Sequence, residues 1–174
     1  VLPFFPFSSD DGFAVEDYKK IKIEHGSWKD LKKITKTFDI MVDLVINHCS
    51  SNNKLFKNFL EDKNPGKDFF INSEKKFPKS NKIVRPRSSD LSKKVLVDGK
   101  NTYVWCTFGH DQVDFDFRNP KVLLYFFEII KFYLDQDIQA LRLDAVAFLW
   151  KELGTRCINL PQTHNIIRLI KANN

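Results

Sequence analysis

Asp39-Ile-Met-Val-Asp-Leu-Val-Ile46 runs straight into Asn47-His48, and Ile138-Gln-Ala-Leu-Arg-Leu143 runs straight into Asp144. The first is a short, β-branched, almost wholly apolar run of the kind that a parallel sheet buries on both faces. The second reads as another strand. Between them, Asn119-Pro120 supplies a cap residue followed by proline at the first helical position, and the apolar stretch Val122 to Leu134 continues it as a helix. Strand, helix and strand come in the order that a right-handed parallel crossover requires. The connection, however, is far too long: 70 residues lie between His48 and Asn119, where a strand-to-helix loop takes about 2 to 6. They read as an inserted subdomain at the strand's C-terminal end. That placement suggests an α/β fold of the (β/α)8 or TIM barrel type, whose active-site loops gather on that face.

Outward from this core the elements thin. Ser27 is a possible N-cap for a helix over residues 27–37, with Trp28, Leu31 and Ile34 on one face. The opening Val1-Leu-Pro-Phe-Phe-Pro-Phe7 looks like a strand's tail. Within the insertion, Cys49 to Ile71 is helix-like around Leu55, Phe56, Phe59 and Leu60. Asn72 to Gly99 reads as polar and irregular, and Thr102-Tyr-Val-Trp-Cys-Thr-Phe108 as a strand. The expected division is barrel at 1–48, inserted subdomain at 49–118 and barrel again at 119–174.

At 174 residues and 43% apolar the chain is long enough for one domain with a real core. Its net charge of +6 comes from lysines scattered among acids, as in Lys19, Lys20, Lys22, Lys29, Lys32, Lys33 and Lys36 beside Glu16, Asp17, Glu24 and Asp30. This is a lysine-biased solvated surface and no nucleic-acid stripe. The three cysteines are widely spaced, with no CxxC pair, so a reducing, cytoplasmic setting is expected. No apolar run approaches the roughly 20 residues of a membrane span, and no charged-then-apolar leader opens the chain.

Alternate side chains of a strand share a face, so Arg142 and Asp144 point into one cavity. An arginine beside a carboxylate lowers its pKa and keeps it ionised, as a nucleophile needs. On Arg-x-Asp alone, a salt bridge at a strand end is the plainer reading. On the earlier strand Asp43, Val45 and Asn47 share a face and His48 stands at the exit, where it can donate to a ligand hydroxyl or simply pack. Two strands that end in polar clusters favour a site, because barrel strands bring those ends to one mouth.

Asp43-Leu-Val-Ile-Asn47-His48 and Leu141-Arg142-Leu-Asp144-Ala-Val146 resemble the first and second signature segments of the α-amylase superfamily, glycoside hydrolase family 13. Gln112-Val-Asp114 matches the further signature that precedes the second. The resemblance covers essentially the whole chain. It implies Asp144 as the nucleophile forming a β-glucosyl-enzyme, Arg142 as the group orienting it and His48 as a bond to the glucose before the scissile linkage. Asp10-Asp-Gly12-Phe13 resembles the segment whose Asp holds the 4-hydroxyl and whose aromatic stacks on the ring. An Asp-Gly turn and an aromatic face suit such a task, and equally suit a plain turn with a core Phe.

Trp150-Lys-Glu-Leu-Gly-Thr-Arg-Cys-Ile-Asn-Leu-Pro-Gln-Thr-His164 is similar to the sucrose phosphorylase and amylosucrase group, and Arg85-Pro-Arg87 with Phe13 to its phosphorylase branch. Phe108 and Gln112 match that group's donor-site aromatic and amide. Arg87 is then the contact for acceptor or phosphate, since a planar guanidinium suits an oxyanion; a pair of surface arginines on a basic loop is the bland alternative.

The implied activity is retaining transfer of glucose from sucrose or a related α-glucoside, such as glucosylglycerate or sucrose 6-phosphate, to inorganic phosphate. Hydrolysis or transglucosylation on the same fold, and a non-catalytic sugar-binding relative, are the alternatives. Fructose, fructose 6-phosphate, glycerate and glycerol all remain open as leaving groups. Asn47 matches a calcium ligand of α-amylases, but sucrose-acting relatives generally lack that site, so no metal and no cofactor are expected.

Retention needs a second carboxylate about 5 to 5.5 Å from the nucleophile. The family carries it as a Glu on the strand after Asp144, which this chain does not reach, nor does it reach the later Asp that steadies the transition state. Glu152 lies in a structural segment and is no substitute. A barrel usually takes about 250 residues, and this chain is expected to supply roughly its second to fourth strands. Expressed alone, the 174 residues should aggregate without turnover, because two sheet edges stay uncovered. Soluble, cooperatively unfolding, active material would refute that expectation.

Overall fold

The computed structural model describes residues 1–78 and 81–172. Lys79 and Ser80, within the stretch read as irregular, and Asn173 and Asn174 lie outside the described residues. In chain order the elements are α1 (Trp28–Ile34), β1 (Met41–Val45), β2 (His48–Ser50), α2 (Lys54–Leu60), β3 (Asn72–Ser73), β4 (Ser92–Val97), β5 (Lys100–Trp105), β6 (Gln112–Asp114), α3 (Pro120–Leu134), β7 (Ala140–Asp144) and α4 (Pro161–Ala172).

β1 and β7 pair in parallel, with Asp43 opposite Arg142 and Val45 opposite Asp144. Val42, Leu44 and Val45 are fully buried, while Met41 at the start of β1 is exposed. α3 crosses between the two strands. Asn119 caps it by accepting from the Lys121 amide, Pro120 takes the first turn, and Val122, Phe126, Ile129, Ile130 and Tyr133 form its buried stripe, one side chain every three to four residues as an amphipathic helix demands. Phe5 stacks on Tyr133 with ring centroids 5.9 Å apart. Val1 begins a ladder beside β1, donating to the Met41 carbonyl and accepting from the Asp43 amide. α1 has the expected Ser27 cap but ends at Ile34, short of residue 37.

Between β1 and α3 the backbone turns to antiparallel pairing. β2 pairs with β6, and β3, β5 and β4 form a three-stranded sheet in that order. Here the reading of residues 72–99 as irregular needs correction, because β4 is a regular strand that forms a hairpin with β5. Asp98 and Gly99 both have positive φ, 46° and 74°, the left-handed pair that a tight two-residue hairpin turn requires. The alternating exposure of β4, with lysines outward, disguised the strand as a polar segment. These residues share one core with the parallel pair: Phe56, Phe70, Val113 and Phe115 belong to the same cluster as Val42, Leu44 and Phe126.

Two buried tyrosines connect α3 to the end of β1. The Tyr133 hydroxyl donates to the Tyr18 carbonyl at 2.7 Å, and the Tyr18 hydroxyl lies 2.9 Å from Val45 O and 2.8 Å from His48 O. Its single proton is shared by two carbonyls where the chain turns from β1 into β2. Tyr18→Phe strips the donor from that buried turn and should lower stability by about 1–3 kcal/mol, read as a fall in the urea midpoint of the complete protein at unchanged m-value.

Candidate active site

A cavity of about 180 Å³ is lined by Asp10, Phe13, His48, Arg87, Phe108, Gln112 and Asp144. Each wall comes from a different part of the chain. Asp10 and Phe13 lie on a turn with positive φ at Asp10, Asp11 and Gly12. His48 begins β2, Gln112 begins β6 and Asp144 ends β7, while Arg87 and Phe108 sit on loops. Larger hollows lie elsewhere, one of about 570 Å³ beside Trp105 and Trp150 and an apolar one of about 340 Å³ between residues 1–4 and α1. Neither includes Asp144 or His48, so their size does not make them the site.

Several of these side chains are joined to one another. Gln112 Nε2 donates to Asp10 Oδ2 at 2.8 Å, and Arg87 donates to Asp10 Oδ1 at 3.0 Å. The turn carrying Asp10 is tied down in its own right, since Ser8, Ser9 and Ser51 all donate to the Asp111 carboxylate. The His48 ring lies 4.8 Å from that of Phe108, which meets Phe148 edge-on at 5.3 Å. Arg85 and Arg87 part company. Arg85 spends its guanidinium on the carbonyls of Ser89, Asp90, Cys106 and Thr107, whereas Arg87 reaches the cavity.

Arg142 is the expected site residue that stands outside the lining. Its guanidinium bonds Asp43 at 2.5 Å and lies 3.5 Å from Asp144 Oδ1, so it is shared between two carboxylates and leans towards the buried one. The expected depression of the Asp144 pKa is overturned for this reason. Burial raises it above the ordinary carboxylate value, Arg142 opposes only in part, and the charges of Asp43 and Asp10 raise it further.

Beneath the cavity lies a polar network that sequence reading left without a role. Asp114, fully buried, accepts from the Thr107 amide and hydroxyl, from Asn47 Nδ2 at 3.0 Å and from the Lys151 ammonium at 2.8 Å. Lys151 also donates to Asn47 Oδ1 at 2.6 Å. The available signal was a lysine directly after Phe148-Leu-Trp150, closing an apolar run. Asn47 Nδ2 stands 3.2 Å from His48 Nδ1, and His48 Nε2 stands 3.0 Å from the Phe13 carbonyl. Burial pushes the His48 pKa down to about 4, assisted by the Lys151 charge and opposed by Asp114, the Phe13 carbonyl and Asp10. The imidazole is neutral at pH 7.

Comparison with known proteins adds three findings. Residues 1–171 match the family model for the alpha-amylase catalytic domain. The glucosylglycerate phosphorylases of Spirochaeta thermophila and Escherichia coli are 46% and 41% identical, each over 99% of this chain but only 29% and 31% of their own length. The solved sucrose 6F-phosphate phosphorylase from Thermoanaerobacter thermosaccharolyticum superposes with a TM-score of 0.90 at 30% identity, over 99% of this chain and 38% of its own. The chain thus spans about a third of these relatives.

The depressed His48 pKa makes stability fall on acidification. Below the ordinary value near 6.5 the unfolded chain takes up a proton that the folded site refuses until about pH 4, so stability drops by roughly 3 kcal/mol across that window. His48→Gln should flatten that part of a pH series of urea unfolding in the complete protein.

Proposed function

We propose a function for this chain from one premise: it belongs to the alpha-amylase catalytic-domain family. It is part of a retaining α-glucoside phosphorylase, read as barrel at residues 1–48 and 119–174 and inserted subdomain at 49–118. Its preferred donor is α-glucosylglycerate, among the candidates that also include sucrose and sucrose 6-phosphate. The Asp144 carboxylate attacks the anomeric carbon, the glycosidic C–O bond breaks, and the departing oxygen takes a proton from an acid outside this chain. Inorganic phosphate then attacks the β-glucosyl-Asp144 ester and leaves as α-glucose 1-phosphate, restoring the carboxylate.

One observation carries this reading: Arg87 meets Asp10 at the edge of the same cavity that Asp144 closes. Their side chains are 54% and 34% exposed, so the ion pair is weak, about 1 kcal/mol or less. An oxyanion can take the guanidinium from Asp10 and stand over the glucosyl ester, while Asp10 is released to a sugar hydroxyl. Phe13 and Phe108 offer ring faces to the apolar side of a glucose. The donor preference rests on two relatives named for glucosylglycerate, 46% and 41% identical to this chain.

The complete protein with glucosylglycerate should yield glucose 1-phosphate only when phosphate is present. Free glucose released at the same rate without phosphate would instead favour a hydrolase. Asp144→Asn should reduce turnover by on the order of 10⁴-fold or more, while making the folded state more stable near pH 7, because the ionised carboxylate sits where burial disfavours it. Arg87→Ala should slow phosphorolysis by about 10- to 100-fold, the equivalent of one charge-assisted hydrogen bond, and spare hydrolysis of the glucosyl-enzyme.

A further inference from the structure

Lys151 does not line the cavity, yet its ammonium is buried two hydrogen bonds away from it. It leaves the chain seven residues after Asp144, between β7 and α4, and its side chain is only 3% exposed. The Asn47 amide is gripped at both ends, with Oδ1 accepting from Lys151 and Nδ2 donating to Asp114. Turned over, the amide would set an NH2 against an ammonium and a carbonyl oxygen against a carboxylate, two repulsions among groups buried from bulk solvent. Its direction is therefore fixed. The remaining Nδ2 hydrogen points at His48 Nδ1, 3.2 Å away, and a ring nitrogen that accepts carries no proton.

We propose that Lys151 is a positioning residue for the cavity: acting through Asn47, it holds His48 as the neutral Nε2–H tautomer. Nε2 then donates to the Phe13 carbonyl at 3.0 Å. Gln112 Nε2, 3.2 Å from the same nitrogen, is itself a donor committed to Asp10, so the two do not bond. The one proton on that nitrogen is held by the Phe13 carbonyl, from which an acceptor oxygen on a ligand in the cavity can draw it. The charged groups around it are the carboxylates of Asp10 and Asp114 and the Lys151 ammonium. Without the Lys151–Asp114 pair the amide is free to turn its oxygen to Nδ1 and draw the proton there, leaving a lone pair at the cavity. The consequence for sugar binding rests on the glucosyl-transfer reading; the tautomer does not.

The test is a long-range proton–nitrogen NMR spectrum of the complete protein with labelled histidine at neutral pH, His48 being assigned by its loss in His48→Gln. The expected wild-type spectrum has an unprotonated Nδ1 and a protonated Nε2. In Asn47→Asp the acceptor-only carboxylate should move the proton to Nδ1 and raise KM for the glucoside by about 10-fold or more, with kcat falling less. Lys151→Met combined with Asp114→Asn removes the ion pair as a unit, leaving no lone buried charge, and should give a mixture of tautomers. An Nδ1–H tautomer in the wild type overturns the proposal, as does an unchanged tautomer in folded Asn47→Asp. The wild-type result can overturn the proposal even if neither variant folds. A tautomer that shifts as expected with no change in KM upholds the positioning role and removes His48 from sugar binding.

Discussion

The Asp114 carboxylate is fully buried and accepts from four donors on three separate parts of the chain. A carboxylate without such partners would lose several kcal/mol on leaving water, and the same holds for the Lys151 ammonium that meets it. Each is tolerated because the other is there and because Asn47 and Thr107 fill the remaining positions. The loop after β7, the end of β1, the end of β5 and the strand β6 are thereby brought to one point. Asp114 lies opposite His48 in the β2–β6 register, which sets that point directly under the cavity.

This arrangement shapes the electrostatics above it. Burial, with lesser help from the Lys151 ammonium, keeps His48 neutral, so that it offers a hydrogen bond and no charge. Asp144 is pulled the other way, with burial and two neighbouring carboxylates raising its proton affinity against the partial help of Arg142. Arg142 cannot give Asp144 its whole charge because Asp43, directly across the parallel pair, takes the shorter contact.

Much of the fold was legible. β1 reads as a doubly buried strand because nearly all its residues are apolar, α3 because Asn119-Pro120 caps a run with helical periodicity, and β7 because a short run rich in apolar residues leads directly into Arg142 and Asp144. The β4–β5 hairpin was not legible from hydrophobicity, since β4 has one solvated face and its lysines mask the alternation; the Asp98-Gly99 turn was its one clear mark. Seven of the eight site residues named from sequence line one cavity. The eighth, Arg142, was judged by its spacing from Asp144 along one strand, and spacing along a strand says nothing of what stands on the next one.

The sequence by itself determined which residue types are present at strand ends, where the helix between them begins, and that a long segment intervenes. These follow from local rules: periodicity, capping and the alternation of side chains. Only the tertiary structure decided who partners whom. Arg85 went to backbone carbonyls and Arg87 to the cavity, although they are two residues apart, and Lys151 was drawn under the site from the loop beyond Asp144. A buried titratable group takes its pKa and its orientation from whatever surrounds it in space, and much of that is distant along the chain: Asp114 meets Asn47 and Lys151, His48 feels Asp114 and Lys151, and Asp144 feels Asp43 and Asp10.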